Sequence, residues 1–357
     1  MKTVWIVVIA LIAVVYGCSK SSSGNGNTDA GNDAFKTEML TNYADNLIIP
    51  AYQDFQSKIN GLEVTVNNFL NAPSTTTLAA VKPVFKDAYA AFEKISMPYL
   101  GPASSTSANN YINTFPAVPS KIEAAIQSGL YDLTVPVIND SIQGLPALDY
   151  LLFSPDAVTK FSAPDAGNRK KYVQDLIARV KSLTLAVLSQ WNGSYRSVFI
   201  ASLKTDVGSS IGSLVNRFAS EMDAMKGPRI GWPFGKQSNG IVFADKCEGY
   251  YAGFSKELAV ANLTSLKNYF TGGAGKGISD YLVLLNKTQL NNDVLAQFDV
   301  ALNALNAIPA PMSEAFTGNA ALVDEAYKQV QKLLTLIKTD VASATAVQIT
   351  YMDNDGD

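Results

Sequence analysis

The 357-residue sequence contains no histidine. Without an imidazole there is no Ser–His or Cys–His nucleophile pair and no HExxH-type zinc site, because each needs that ring as base or ligand. Cysteine is scarce as well, with only Cys18 and Cys247. Charged residues make up 17% of the chain, and 28 basic against 31 acidic residues leave a net charge of -3. No strong field results, and the basic face that a nucleic-acid binder needs is missing. No comparable series of alternating apolar and polar residues marks strands. What the chain does have is apolar mass: 47% hydrophobic residues over this length can bury a large core, most naturally as two domains.

The apolar residues recur at helical spacing. Tyr52, Phe55, Ile59, Leu62, Val66 and Phe69 form one stripe, and Val81, Val84, Phe85, Ala88, Phe92 and Ile95 a second. Val173, Leu176, Ile177, Val180, Val187, Leu188 and Trp191 form a third; a fourth runs through Val207, Ile211, Leu214, Val215, Phe218, Met222 and Met225. Leu295 to Leu305 and Leu322 to Val341 complete the set. The pattern predicts an all-α protein of long amphipathic helices. Pro50 should kink or split the first apolar segment, while Pro73-Ser74-Thr75 and Gly101-Pro102 should end helices. "NGSYRS" between two strong stripes places a boundary near residues 192 to 200, giving bundles of about four helices over 35–195 and 196–345. Two long proline-bearing stretches, 101–120 and 226–240, read as loops of the kind that carry function.

The amino terminus reads as an export signal. Lys2 precedes an unbroken apolar run from Trp5 to Tyr16, which is too short to span a bilayer core of roughly 30 Å as a helix. Val15-Tyr16-Gly17-Cys18 resembles the bacterial lipobox, which implies that residues 1–17 are removed and that Cys18 becomes the lipidated first residue. Residues 18–34, rich in Ser, Gly and Asn, have the composition of a flexible tether. With Cys18 committed to lipid, Cys247 has no intrachain partner and no disulfide supports the fold. Ser19 after Cys18 favours the periplasmic face of the outer membrane.

Carboxylates carry what chemistry remains. Asp149 in "GLPALDYLLF" and Glu248 in "KCEGYYAGF" are flanked by aromatic residues, Tyr150 in the first case and Tyr250 and Tyr251 in the second. Meeting across a cleft, the two acids would serve as general acid and base or hold a hard cation. The alternative is that each hydrogen-bonds a neighbouring helix end. Asn113, Phe115 and Pro116 in the first long loop, with Arg229 and Trp232 in the second, are candidate supports. "GGAGKG" at 272–277 lacks the hydroxyl residue and preceding strand of a phosphate loop and reads as a helix terminator. Asp353, Asp355 and Asp357 have the alternating spacing of a calcium loop, but an acidic tail over 346–357 explains them as well.

"NLIIPAYQDFQSKINGLEVTVNNFLNAP", "LAAVKPVFKDAYAAFEKISMPYLGPA", "YINTFPAVPSKIEAAI", "GLPALDYLLF", "RIGWPFGKQSNG" and "KCEGYYAGFSKELAVANLTSLKNYFTG" resemble, in order, the successive blocks of the imelysin-like bacterial envelope proteins. The resemblance covers about residues 36 to 345. It implies two four-helix bundles with a site in the groove between them, and two functional descriptions: a metallopeptidase, and a component of iron uptake. The family hallmark, GxHxxE, maps onto Gly144, Pro146 and Asp149, so that proline stands in place of the metal-ligating histidine. That departure disfavours the peptidase. The expected function is a lipid-anchored, non-catalytic binding component associated with iron uptake, with an outer-membrane or periplasmic protein as partner; a scaffolding lipoprotein is the alternative. Iron or calcium through oxygen ligands, Asp149 and Glu248 among them, is the cofactor this reading admits.

Overall fold

A computed structural model describes residues 28–134 and 142–351. Cys18 and its lipobox, and the aspartates Asp353, Asp355 and Asp357, lie outside the described residues. Helices are the regular structure of the described chain, which holds no extended strand. In order, the helices are α1 (Thr28–Asn42), α2 (Ile49–Asn71), α3 (Thr75–Ser96), α4 (Pro102–Ser105), α5 (Ala108–Ile112), α6 (Pro119–Ser128), α7 (Gly144–Phe153), α8 (Ala157–Ser162) and α9 (Gly167–Gln190). They continue with α10 (Arg196–Ala201), α11 (Ser210–Ala224), α12 (Ser255–Thr271), α13 (Ile278–Leu284), α14 (Thr288–Ala307), α15 (Met312–Gly318), α16 (Ala320–Thr335) and α17 (Ala342–Ala344). None of them is long and apolar enough to cross a membrane.

Local signals set the boundaries. A wide π-type turn at Tyr43–Ile48 joins α1 to α2, and Pro50 sits in the first turn of α2, where its missing N–H costs little. Ser74 starts α3 with a capping box: its hydroxyl accepts from the Thr77 N–H, and the Thr77 hydroxyl accepts from the Ser74 N–H. The third stripe ends where Gly193 leaves helical geometry, inside the "NGSYRS" stretch.

The stripes are the core. α2 packs on α3 and α9, burying Tyr52, Phe55, Ile59, Leu62, Val66 and Phe69 together with Val81, Phe85, Phe92 and Ile95. In the later half α14 packs on α16, and α16 on α11. α12 packs on both α14 and α3, so one continuous apolar core runs through both halves. Val207 and Leu322, counted into their stripes by spacing, are exposed, because each lies outside or at the first turn of its helix. Stacking at roughly 25 cal/mol per Å2 of buried apolar surface makes this shared core the main stabilising term.

Four expectations change in detail. α1 begins at Thr28, so the stretch read as tether up to residue 34 is partly helix. Gly101-Pro102 does not end a helix; α3 stops earlier, at Ser96, and Pro102 opens α4. The two long loops contain helical turns, α4 and α5 in the first and a π-type turn at Met225–Gly231 in the second. The start of the expected acidic tail is docked: Val347 is buried, and the Asn216 side chain on α11 bonds Gln348 O and the Thr350 N–H. Its residues before 352 are apolar or neutral, which is why they pack.

"GGAGKG" acts as a terminator with a second duty. Gly272 ends α12 in the left-handed conformation, and Asn42 on α1 donates its amide to Gly272 O and Lys276 O at 2.8 and 2.9 Å. Beside it the Tyr43 hydroxyl donates to Tyr269 O at 2.6 Å and accepts from the Ile278 N–H at 3.2 Å. The two residues staple the amino-terminal helix to the carboxy-terminal half.

Candidate functional site

The hallmark segment comes first. Gly144 has φ +72°, and a Cβ there would lie 2.2 Å from Ile112 O, so only glycine fits this junction. Pro146 lies in the first turn of α7, where its ring is tolerated and offers no ligand atom. Asp149 is buried, and its carboxylate does not serve its own helix. Oδ2 accepts from the Tyr251 N–H and Oδ1 from the Ala252 N–H, both at 2.9 Å. Asp149 is therefore a clasp joining α7 to a turn about a hundred residues downstream. Burial pushes its carboxyl up to about 7, with the two N–H groups and the more distant Lys82 pulling the other way.

Glu248 belongs to the same turn but to another set of contacts. Its Oε1 accepts from the Asn113 amide at 2.6 Å, and its Oε2 is paired with Arg229. Asn113 Oδ1 in turn accepts from the Tyr89 hydroxyl at 2.6 Å. The Arg229 guanidinium, itself buried, reaches the Glu93 Oε2 at 2.9 Å on its other side. Glu93 also takes the Asn262 amide at 2.9 Å, and that amide continues to Ser96 Oγ at 2.8 Å. Ser96 donates to Glu221, which Arg217 closes off at 2.6 Å.

Helical spacing builds this chain. Tyr89, Glu93 and Ser96 share one face of α3; Arg217 and Glu221 are one turn apart on α11; Asn262 comes from α12. Glu93 is held above the ordinary carboxylate range, chiefly because it is completely buried, with Arg229 opposing the rise. Burial likewise drives the Tyr89 hydroxyl well above its ordinary value.

The acids do not face each other as a metal pair. Each spends both oxygens on protein donors, and among the described residues no group of three or more His, Cys, Asp or Glu side chains converges as a metal site. The residues present do not fit a resident cation at Asp149 and Glu248. Cys247 beside them is buried, bonded to Ser255 and Ala244 O, and its thiol is pushed up to about 12 by burial, so it is no nucleophile.

The other nominated residues separate into two places. Tyr150, Tyr250 and Tyr251 form an aromatic cluster with centroids 5.1 Å apart in successive pairs, and the Tyr150 hydroxyl donates to Glu123 at 2.5 Å. Phe115 lies under Arg229, its ring centroid 5.7 Å from the guanidinium carbon, next to the cis peptide bond that precedes Pro116. Trp232 lies instead beside Phe243, the two rings tilted with centroids 6.4 Å apart, and does not line the cleft described next. A cleft of about 280 Å3 opens against that network, and Asn113, Phe115 and Arg229 line it. A second groove, of about 620 Å3, lies between α2, α3 and α12, on the Ala90 and Ala261 faces rather than the Glu93 and Asn262 faces. None of the residues nominated from sequence lines it.

Sequence reading missed Glu93, Tyr89, Ser96, Asn262, Arg217 and Glu221. One signal was available: Glu93 stands between Phe92 and Ile95 in an apolar stripe, and Asn262 interrupts a similar one. A lone polar residue on a core-facing helical position asks for a buried partner.

The imelysin family model matches residues 48–339. The chain belongs to the imelysin family. Among curated relatives, the iron-regulated protein A of Synechococcus elongatus is 22% identical over 330 residues, covering 87% of each chain. A solved structure from Parabacteroides distasonis, assigned as an iron-regulated protein A precursor, superposes with a TM-score of 0.75 at 18% identity, covering 87% of this chain and 95% of that one. An imelysin-like protein from Psychrobacter arcticum gives 0.71 at 20% identity, covering 89% and 98%. At these identities the solved structures share the all-α fold, and the imelysin membership rests on the family match.

Proposed function

We propose that this imelysin-family protein is a non-catalytic binding component of the cell envelope, anchored by lipid on Cys18 and associated with iron uptake together with an envelope partner protein. The relative named for iron regulation supports the association with iron. The observation that carries the non-catalytic part is the state of the hallmark segment. Pro146 supplies no ligand, and both oxygens of Asp149 are taken by the N–H groups of Tyr251 and Ala252. A metallopeptidase needs a metal-bound water with an open coordination position, and these residues do not provide its ligands. The buried network around Arg229 serves instead to fix the wall of the cleft, and the Asp149 clasp to hold α7 to the turn at Tyr251 and Ala252.

The test joins expression to location. Under iron starvation the protein is expected to rise several-fold in the membrane fraction, and Cys18→Ser is expected to move it out of that fraction. Expression indifferent to iron would remove the uptake association. Hydrolysis of a protein substrate by the purified chain supplied with zinc, abolished in Asp149→Asn, would overturn the non-catalytic reading.

A further inference from the structure

The cleft against the charge network is one of two adjoining cavities. The second, of about 310 Å3, lies between the segment at Tyr99–Gly101, the start of α11 and the docked end of the chain. Tyr99 and Arg217 line both cavities, and the Tyr99 ring lies 5.1 Å from the Arg217 guanidinium carbon. The pair is a wall shared by the two cavities. Each is near the lower end of the roughly 300–1,000 Å3 typical of small-molecule sites.

The chemistry of the walls is narrow. Among the described residues, the charged ones along either cavity are Arg217, Glu221 and Arg229, and all are already paired: Arg217 with Glu221, and Arg229 with Glu93 and Glu248. None of these three lining charges lacks a protein partner, so none is free to bind phosphate, a carboxylate or a metal ion. The remaining polar groups are neutral. Asn109, Asn110 and Thr114 line one arm, and Ser104, Ser213 and Asn216 the other. Phe115 on one side and Tyr351 on the other add aromatic surface. Within the first arm two buried atoms have hydrogen-bonding capacity to spare, the Arg229 Nε–H donor and the Asn109 Oδ1 acceptor.

A wall that mixes amide and hydroxyl groups with aromatic rings, and has no free charge, matches a ligand whose groups both donate and accept and whose body has an apolar face. Hydroxyl-bearing sugar rings have that character. A purely apolar molecule would strand the amides, since a polar group buried without a partner costs free energy. Two cavities that share a wall leave room for more than one ring.

We propose that this cleft binds a neutral oligosaccharide of at least two sugar rings, one on each side of the Tyr99–Arg217 wall. The assignment rests on the reading of the protein as a binder, and is independent of its association with iron. The probes are glucose, cellotriose, chitotriose and triglycine, titrated against the purified protein by saturation-transfer NMR. At least one trisaccharide is expected to bind about tenfold more tightly than glucose, because only it spans both cavities. Tyr99→Ala is expected to abolish trisaccharide binding, Tyr99→Phe to keep it, and Asn110→Ala to weaken it about threefold to tenfold, with unchanged circular dichroism in all three. Binding of no saccharide, equal affinity for glucose and both trisaccharides, saturation by triglycine in place of the sugars, or full binding in a folded Tyr99→Ala protein would each overturn the assignment. Failure of these titrations while the protein still responds to iron starvation leaves the envelope reading standing. Sugar binding with iron-indifferent expression removes the iron association and leaves the cleft assigned.

Discussion

Asp149 and Glu248 are both buried acids that meet the same turn of chain, yet they are neutralised by different means. Asp149 has two peptide N–H groups and no close countercharge, so burial dominates and its carboxyl rises to about 7. Glu248 shares a guanidinium with Glu93 and takes an amide as well. A peptide dipole can satisfy the geometry of a carboxylate without supplying a full charge. The Asp149 clasp is therefore sensitive to pH, whereas the Arg229 cluster is sensitive to the loss of any one member.

The largest test of that contrast is Arg229→Met. It leaves Glu93 and Glu248 buried without their cation, and urea unfolding should show a loss of about 3–5 kcal/mol. Asp149→Ala comes next: two N–H groups, that of Ala252 buried and that of Tyr251 partly so, lose their acceptor, and the expected cost is about 2 kcal/mol by the same measurement. The pH dependence belongs to this residue. A folded carboxyl raised from its ordinary 3.8 to about 7 binds its proton more tightly than the unfolded chain does. Its contribution to stability is complete below about pH 4 and is lost as pH rises toward 7, so the melting temperature should fall over that window. Asp149→Asn should flatten that slope, leaving the part due to Glu93, which shifts in the same direction.

Asn113→Ala should cost about 1 kcal/mol, because it removes one acceptor from Tyr89 and one donor from Glu248 while leaving Arg229 in place. The smallest effect is expected for Lys94→Ala. Its pair with Asp54, at 2.8 Å, is largely exposed, so the change should stay within about 0.5 kcal/mol and serve as the control for the buried set.

The helices were legible because their apolar residues keep a 3.6-residue period over several turns, and that signal is redundant: Val207 could be misplaced without losing the stripe it was counted in. Gly144, Asp149, Glu248, Asn113 and Arg229 were legible as unusual residues in unusual settings. Their partners were not. Asp149 bonds backbone groups, which have no identity in a sequence, and the spacing from Asn113 to Glu248 or from Glu93 to Arg229 and Asn262 is set by how helices pack. Pairings between acids on different helices are therefore a property of the assembled core. This is why the expected encounter of Asp149 with Glu248 resolved into two separate sets of contacts.

The staple at Asn42 and Tyr43 also has a mechanical meaning. A pull on the amino terminus would run down α1, past the stacking of Phe35 on Tyr281 and the buried Met39 and Leu40, to the bonds to Gly272, Lys276, Tyr269 and Ile278. That load enters the carboxy-terminal half directly, through the end of α12, without passing through Asn113, Phe115 or the Tyr99–Arg217 wall. A body hung from this end would transmit drag and thermal tugging along its back and leave the cleft unstrained.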